Sequence, residues 1–432
     1  MTLYRDMRYP TPHELALAGR VLTEEHPGLV GLRRAGTSRG GQPLWLLSVA
    51  AADRAVGDRN VLVVAGAHAN EPVGGATALS LARRVIRDPA LRADSGWHLL
   101  LCADPDGAAL HRTPRPYSLL DYHRNFFRPP GPEQPEWAPS LLPTDRLPPE
   151  TVALNALIDE LRPLLQVSLH GTDLGGSWVQ LTRDIPGLAE PFAKSAAELR
   201  IPVETGASDA AGWPSPGPGI FVMPEPGTKA DGVFHPEDTR LSTWYRTHRY
   251  DGTTAIVEAP MWASDLVDDP APHPDPRRAL AVLARRLTEE AEQVARVFAA
   301  ARPGLPGADV PPAGPLLRAV EWTLSLIPGI SRAWAGGAAP AEATAAYIGS
   351  IDAFGRRLVL RAAAMLLRVL RWAGHRAAPE LDRLVTGWCE AFAARFQARW
   401  VPVATQVEHQ SRTALAAYAR VSAGAGARTL RG

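Results

Sequence analysis

Residues 60–75, NVLVVAGAHANEPVGG, read as a buried strand, a tight turn carrying His68 and Glu71, and a helix start. Asn60 to Ala65 is a short apolar run rich in valine, the pattern of a strand covered on both faces. Gly66 lets the backbone turn sharply, and Pro72 sits where a missing N–H costs a helix nothing. His68 and Glu71 are three apart, so a turn of helical pitch points both the same way. An imidazole and a carboxylate converging from one turn supply two ligands for a divalent zinc ion. The third ligand has to come from elsewhere in the chain, with one position left open. H-x-x-E alone also describes many solvated turns. Its place at the end of a buried strand, where open α/β sheets keep their sites, gives it weight.

Outward from this centre, the chain alternates strands and helices. A first helix is expected over 11–26, started by Thr11 and Pro12, then a turn and strand within 35–50. The helix from Pro72 stops near Asp88-Pro89. WHLLLC (97–102) is a second buried strand, leading into the polar turn ADPDG (103–107). Residues 108–149 look irregular, and 148–161 form a helix. LLQVSL (164–169) is a strand ending at His170, followed by a strand at 178–182 and a helix at 187–200. Residues 205–240 read as loop, TTAIV (253–257) as a strand ending at Glu258, and 276–301 as an amphipathic helix. Strand-end residues of one sheet meet at one rim, so His68, His170 and Glu258 are expected to come together. The fold class expected is α/β: a mixed, mostly parallel twisted sheet with helices on both faces, then an all-α C-terminal region.

The 432 residues, 46% of them hydrophobic, suffice for one large domain and a smaller one. The boundaries expected are a catalytic domain over 1–302, a Pro/Gly linker over 303–315 and a helical accessory domain over 316–432. A net charge of +1 argues against a nucleic-acid binder. Two cysteines, Cys102 and Cys389, make no disulfide framework. The N-terminal stretch has no apolar signal core and no run is long enough to span a bilayer, so a cytoplasmic protein is expected. Only Lys194 and Lys229 are lysines, a skew we read as coding bias. From residue 313 the chain has 15 arginines against 7 acids, hence +8, while the remainder carries −7. In the helix expected over 351–372, Arg357, Arg361 and Arg368 form a polar stripe beside a wide apolar face of Ile351, Phe354, Leu358, Met365, Leu366 and Val369. Docking of this tail on the acidic remainder is the reading preferred over a basic surface for an acidic partner or membrane.

The order GTSRGGQPL, GAHANEPVGG, DPDG, an arginine, DYHRNF, SLHG and a strand ending in Glu resembles the zinc metallocarboxypeptidase family, the carboxypeptidase A/B-like funnelins, over about residues 30–300. The resemblance implies one zinc ion on His68, Glu71 and His170, with Glu258 as general base. It implies that Arg112, or the nearby Arg115, holds the oxyanion. Arg124, flanked by His123 and Asn125, would grip the substrate's terminal carboxylate, and Asp121 would orient a ligand histidine. Tyr245 and Tyr250 are the candidates for the lid tyrosine. Two departures stand out. His123 replaces the family's asparagine, and Asp104-Pro105-Asp106-Gly107 replaces NPDG. The expected function is hydrolysis of the C-terminal amide bond of a peptide or peptide-like metabolite with a free carboxylate. A zinc amidase or deacylase and a non-catalytic scaffold are the alternatives. The partners expected exclude nucleic acid and an integral membrane segment, and include a possible homodimer through the helical region.

Overall fold

A computed structural model describes residues 8–51, 59–115, 117–224, 238–307, 309–336 and 343–429. Its strands are β1 (Val30–Thr37), β2 (Pro43–Val49), β3 (Arg59–Ala65), β4 (Ser95–Leu100), β5 (Leu165–Gly175), β6 (Trp178–Leu181), β7 (Ile220–Val222), β8 (Thr253–Ala263) and β9 (Arg399–Trp400). The helices are α1 (Pro12–Glu25), α2 (Val73–Arg87), α3 (Pro105–Leu110), α4 (Leu119–Arg124), α5 (Ala138–Leu141) and α6 (Pro149–Leu161). They continue with α7 (Ala189–Leu199), α8 (Pro276–Ala301), α9 (Ala313–Gly336), α10 (Ala345–Trp372), α11 (Ala378–Arg395) and α12 (Val403–Thr429). Among these residues, no helix is long and apolar enough to cross a membrane.

One sheet runs in the order β1-β2-β4-β3-β5-β8-β6-β7, with β9 added to the far end of β8. The central strands β4, β3, β5 and β8 are parallel, and antiparallel pairs flank them. Residues 61–65 are wholly buried because both faces of β3 are covered. Val61, Val63 and Ala65 face the core shared with α2, α7 and α12. Leu62 and Val64 face α6 through Leu154, Leu157 and Ile158. α1 begins as the sequence indicates, with Thr11 as a capping box: its side chain accepts from Glu14 N while Glu14 accepts from Thr11 N.

Several expectations change. β5 and β8 do not stop at His170 and Glu258 but run on to Gly175 and Ala263 as paired strands. GTDLG falls outside the expected strand because the partners of its polar residues Thr172 and Asp173 lie far along the chain, on α10. ADPDG is no open turn; Asp104 accepts from Gly107 N and caps α3. β1 and the short helices α4 and α5 were not foreseen. Of the loop expected over 205–240, residues 225–237 lie outside the described residues, as do residue 308 of the linker and the N-terminal residues 1–7.

The C-terminal helices do not pack only on each other. Helices α8–α11 share one apolar core with Tyr122, Phe126, Met261 and Trp262. α12 covers the sheet beside α2 through Ala414, Ala417 and Tyr418. Arg318 meets Glu133, and Arg357 and Arg361 meet Asp173, so basic residues of the tail lie on acids of the remainder.

Candidate metal centre

Gly66, at φ +62°, turns the chain off β3, and a Cβ there would come 3.0 Å from Cys102 Sγ. Glu71 N donates to His68 O at 3.1 Å, closing the turn that aligns the two side chains. His68 Nδ1 then lies 3.0 Å from Glu71 Oε1. β5, the neighbour of β3, brings His170 Nδ1 to 2.9 Å from Glu71 Oε2 and 3.1 Å from His68 Nδ1. The three are buried, and one ligand atom from each lies within 4.8 Å of the others.

The surroundings fit a dication. His170 Nε2 lies 2.9 Å from Glu136 Oε2, and Ser168 Oγ donates to Glu136 Oε1 at 2.6 Å. A proton held at Nε2 by that carboxylate leaves the Nδ1 lone pair for a metal. Burial opposes charge on His170, yet the carboxylates of Glu71 and Glu136 raise its pKa well above the usual histidine range. The charge they stabilise as a proton, they stabilise more strongly as Zn2+, whose binding displaces that proton. Burial, reinforced by Arg128, lowers His68 to about 4, which keeps its ring neutral and able to ligate. Two imidazole nitrogens and a carboxylate oxygen form the donor set of a catalytic zinc site with an open position.

Glu258 pairs in register with His170 across β5 and β8, its Oε1 4.0 Å from His170 Nδ1. Burial first and Glu71 second push its pKa up to about 8. A nearby dication opposes that shift.

The cations expected at the site are elsewhere. Arg112 is exposed, and its backbone N–H donates to Asn125 O. Arg115 is exposed and stacks on Tyr117. Arg124, the last residue of α4, reaches α11, its Nη2 3.0 Å from both Asp382 Oδ1 and Thr386 Oγ1. Asp121 accepts from Ser118 Oγ at the start of α4 instead of orienting a histidine. Asn125 Nδ2 donates to Asp121 O, and His123 is fully buried with Nδ1 on Leu119 O. Tyr250 donates to Asp159, away from the metal centre, and Tyr245 packs with the cluster of Trp137 and Trp244. Polar partners on α11 draw Arg124 away, while α10 and α11 share an apolar core with Tyr122 of α4.

Different residues face the cavity of about 200 Å³ beside the metal centre. Arg128 Nη1 is 3.0 Å from Glu71 Oε1, and its Nη2 is 3.1 Å from His68 Nε2. Arg357 and Arg361 enter from α10, while Trp322 and Leu326 of α9 and Phe354 of α10 form an apolar wall. Sequence reasoning missed Glu136, Arg128 and Asp173. Signals existed in a glutamate set among prolines and tryptophan (PEQPEWA) and in two arginines four apart beside a wide apolar helix face.

Residues 19–178 match the family model described as zinc carboxypeptidase. Among curated proteins, none matches the chain. The metallo-carboxypeptidase of Burkholderia cenocepacia is similar at 16% identity and TM-score 0.39, over 59% of this chain and 61% of that one. The carboxypeptidase A of Helicoverpa armigera is similar at 17% identity and TM-score 0.37, over 60% of this chain and 68% of that one. The chain thus spans about three fifths of the Burkholderia protein's length. The stretch that matches this zinc carboxypeptidase model carries His68, Glu71 and His170.

Proposed function

We propose that this protein is a zinc metallocarboxypeptidase that hydrolyses the C-terminal amide bond of a peptide or peptide-like metabolite. The observation that carries the reading is Glu258 beside the open side of the His68/Glu71/His170 set, 4.0 Å from a ligand nitrogen. His68, Glu71 and His170 would hold the ion. The chemistry a zinc ion supplies there is Lewis-acid polarisation of a carbonyl and acidification of water.

Glu258 takes a proton from the attacking water and hands it to the leaving amine. A carboxylate whose burial raises its proton affinity suits that relay, since it must hold the proton long enough to deliver it. Arg128, lying against His68 and Glu71, holds the negative charge that develops on the carbonyl oxygen. Trp137, Trp244 and the α9 wall limit water around these charges, which strengthens each interaction. The narrow cavity under α9 and α10 favours short substrates. Cys102 and Cys389, buried and unbridged, support a reducing, cytoplasmic setting.

The test is purification with zinc followed by digestion of a C-terminally varied peptide library. One zinc per chain and release of C-terminal residues that a chelator stops are expected. Stoichiometric zinc with no cleavage of any free-carboxylate peptide would overturn the reading. A second reading, a zinc amidase or deacylase, draws support from the ion pair that ties Arg124 to Asp382 of α11. Equal cleavage of free and amidated C-termini would favour it.

A further inference from the structure

α10 lies outside the stretch that matches the family, yet it sends two guanidiniums into the cavity. Both rest on one carboxylate: Arg357 Nη1 is 3.2 Å from Asp173 Oδ1, and Arg361 Nη2 is 3.1 Å from Asp173 Oδ2. Arg357 also donates to Thr172 Oγ1, and Arg361 stacks 4.9 Å above the Phe126 ring. Asp173 is fully buried, and Arg357 and Arg361 are 11% and 15% exposed. Both planar cations share the oxygens of this one carboxylate. The Nε atoms of Arg357 and Arg361 are both buried and lack a hydrogen-bond acceptor among the described residues. A buried donor without an acceptor is costly unless something arrives to fill it.

We infer that Arg357 and Arg361 receive the free carboxylate of the substrate, taking the place that Arg124 was expected to fill. This rests on the carboxypeptidase reading and names its substrate class: a short peptide or acylated amino acid with a free carboxylate and an apolar terminal side chain. Thr172 and Asp173 follow the ligand His170 on the same strand, about 7–10 Å along it, so the clamp and the metal centre fall within one substrate's length. Phe354 and Leu358 of α10, with Trp322 and Leu326 of α9, give the apolar side chain its wall.

Acids also face this cavity. Glu204 accepts from Ser350 Oγ and Gly176 N, and burial raises its pKa towards the neutral form. Asp209 lies close to Arg357 as well. They bear on the pair's field but do not occupy its Nε donors. The two arginines are four apart on one helix, so their spacing is fixed before a substrate arrives. A rigid pair of planar forks suits a carboxylate better than a flexible ammonium does.

The experiment uses full-length zinc-loaded protein carrying Glu258→Gln, so that binding is read without turnover. The probes are N-acetyl-Phe-Phe and its C-terminal amide, titrated by calorimetry. The free acid should bind about tenfold or more tightly than the amide, the strength of a charged hydrogen-bond pair. Arg361→Gln should erase that preference, Arg361→Lys should keep part of it, and Arg124→Gln should leave it intact. The ratio of acid to amide is the readout because a merely misfolded variant loses both together. Equal binding of the two probes, no binding of either, or a preference that survives Arg361→Gln with zinc retained, overturns the assignment. Wild-type protein that prefers the acid but never cleaves it leaves the clamp standing and sinks the carboxypeptidase reading instead.

Discussion

His170 and Glu258 stand side by side at paired positions of two parallel strands, with His170 Nδ1 4.0 Å from Glu258 Oε1. Side chains at paired positions leave the same face of a sheet, so the backbone ladder sets this separation. Trp178 pairs with Glu258 from the other side and fixes it further. Glu258→Gln keeps the shape and removes the base. The zinc content should be unchanged by elemental analysis, while kcat falls about 10²–10⁴-fold.

Arg128 touches both His68 and Glu71, whereas Arg112 is exposed. Arg128→Ala should lower kcat about 10²–10³-fold, the usual loss for one oxyanion donor. Arg112→Ala should stay near wild type. Steady-state kinetics on one good peptide separate the two, and the reverse order would reinstate Arg112.

Glu136 is fully buried and holds the far nitrogen of a ligand ring. Glu136→Gln replaces that charged acceptor with a neutral one. Zinc affinity, measured by competition with a chromophoric chelator, should drop about 10–100-fold with the circular-dichroism spectrum unchanged.

Asp104 stands where the resembled family has asparagine. Burial, aided by Glu150 and Asp106 against the Gly107 N–H bond, raises it to about 7. Its Oδ2 is buried without a hydrogen-bond partner, as suits a protonated acid. The folded state therefore binds this proton more tightly than the unfolded chain does. Stability from this group is present below about pH 4 and is lost as pH rises to about 7. Asp104→Asn keeps the acceptor for Gly107 N and removes the titration. At pH 8 it should be more stable than wild type by a few kcal/mol at most, and near wild type at pH 4–5. Thermal melts across that range read the difference.

Gln410 of α12 donates to the carbonyls of His170 and Val257, while its Oε1 accepts from Thr77 of α2. Gln410→Ala removes all three of those buried bonds. Urea unfolding should show a loss of about 1–3 kcal/mol. A smaller loss would mean that water enters and restores the bonds.

The metal centre was legible because its ligands sit at the ends of apolar runs whose period marks them as strands. His68 and Glu71 even share one turn. The rest of the cavity depends on contacts between distant segments. Asp173 looks like a turn residue until Arg357 and Arg361, some 190 positions on, give it partners. Arg124 matches a motif, yet Asp382 and Thr386 draw it away. Local pattern locates a side chain on its element, but only packing decides which neighbour it faces.

A ribosome delivers this chain from its N-terminus, so α12, at Val403–Thr429, emerges after the other described helices. Until it does, the sheet face it shares with α2 stays open and the carbonyl beside each of two site residues goes unclamped. The strand rim that carries His170 and Glu258 therefore gains this clamp only when α12 docks.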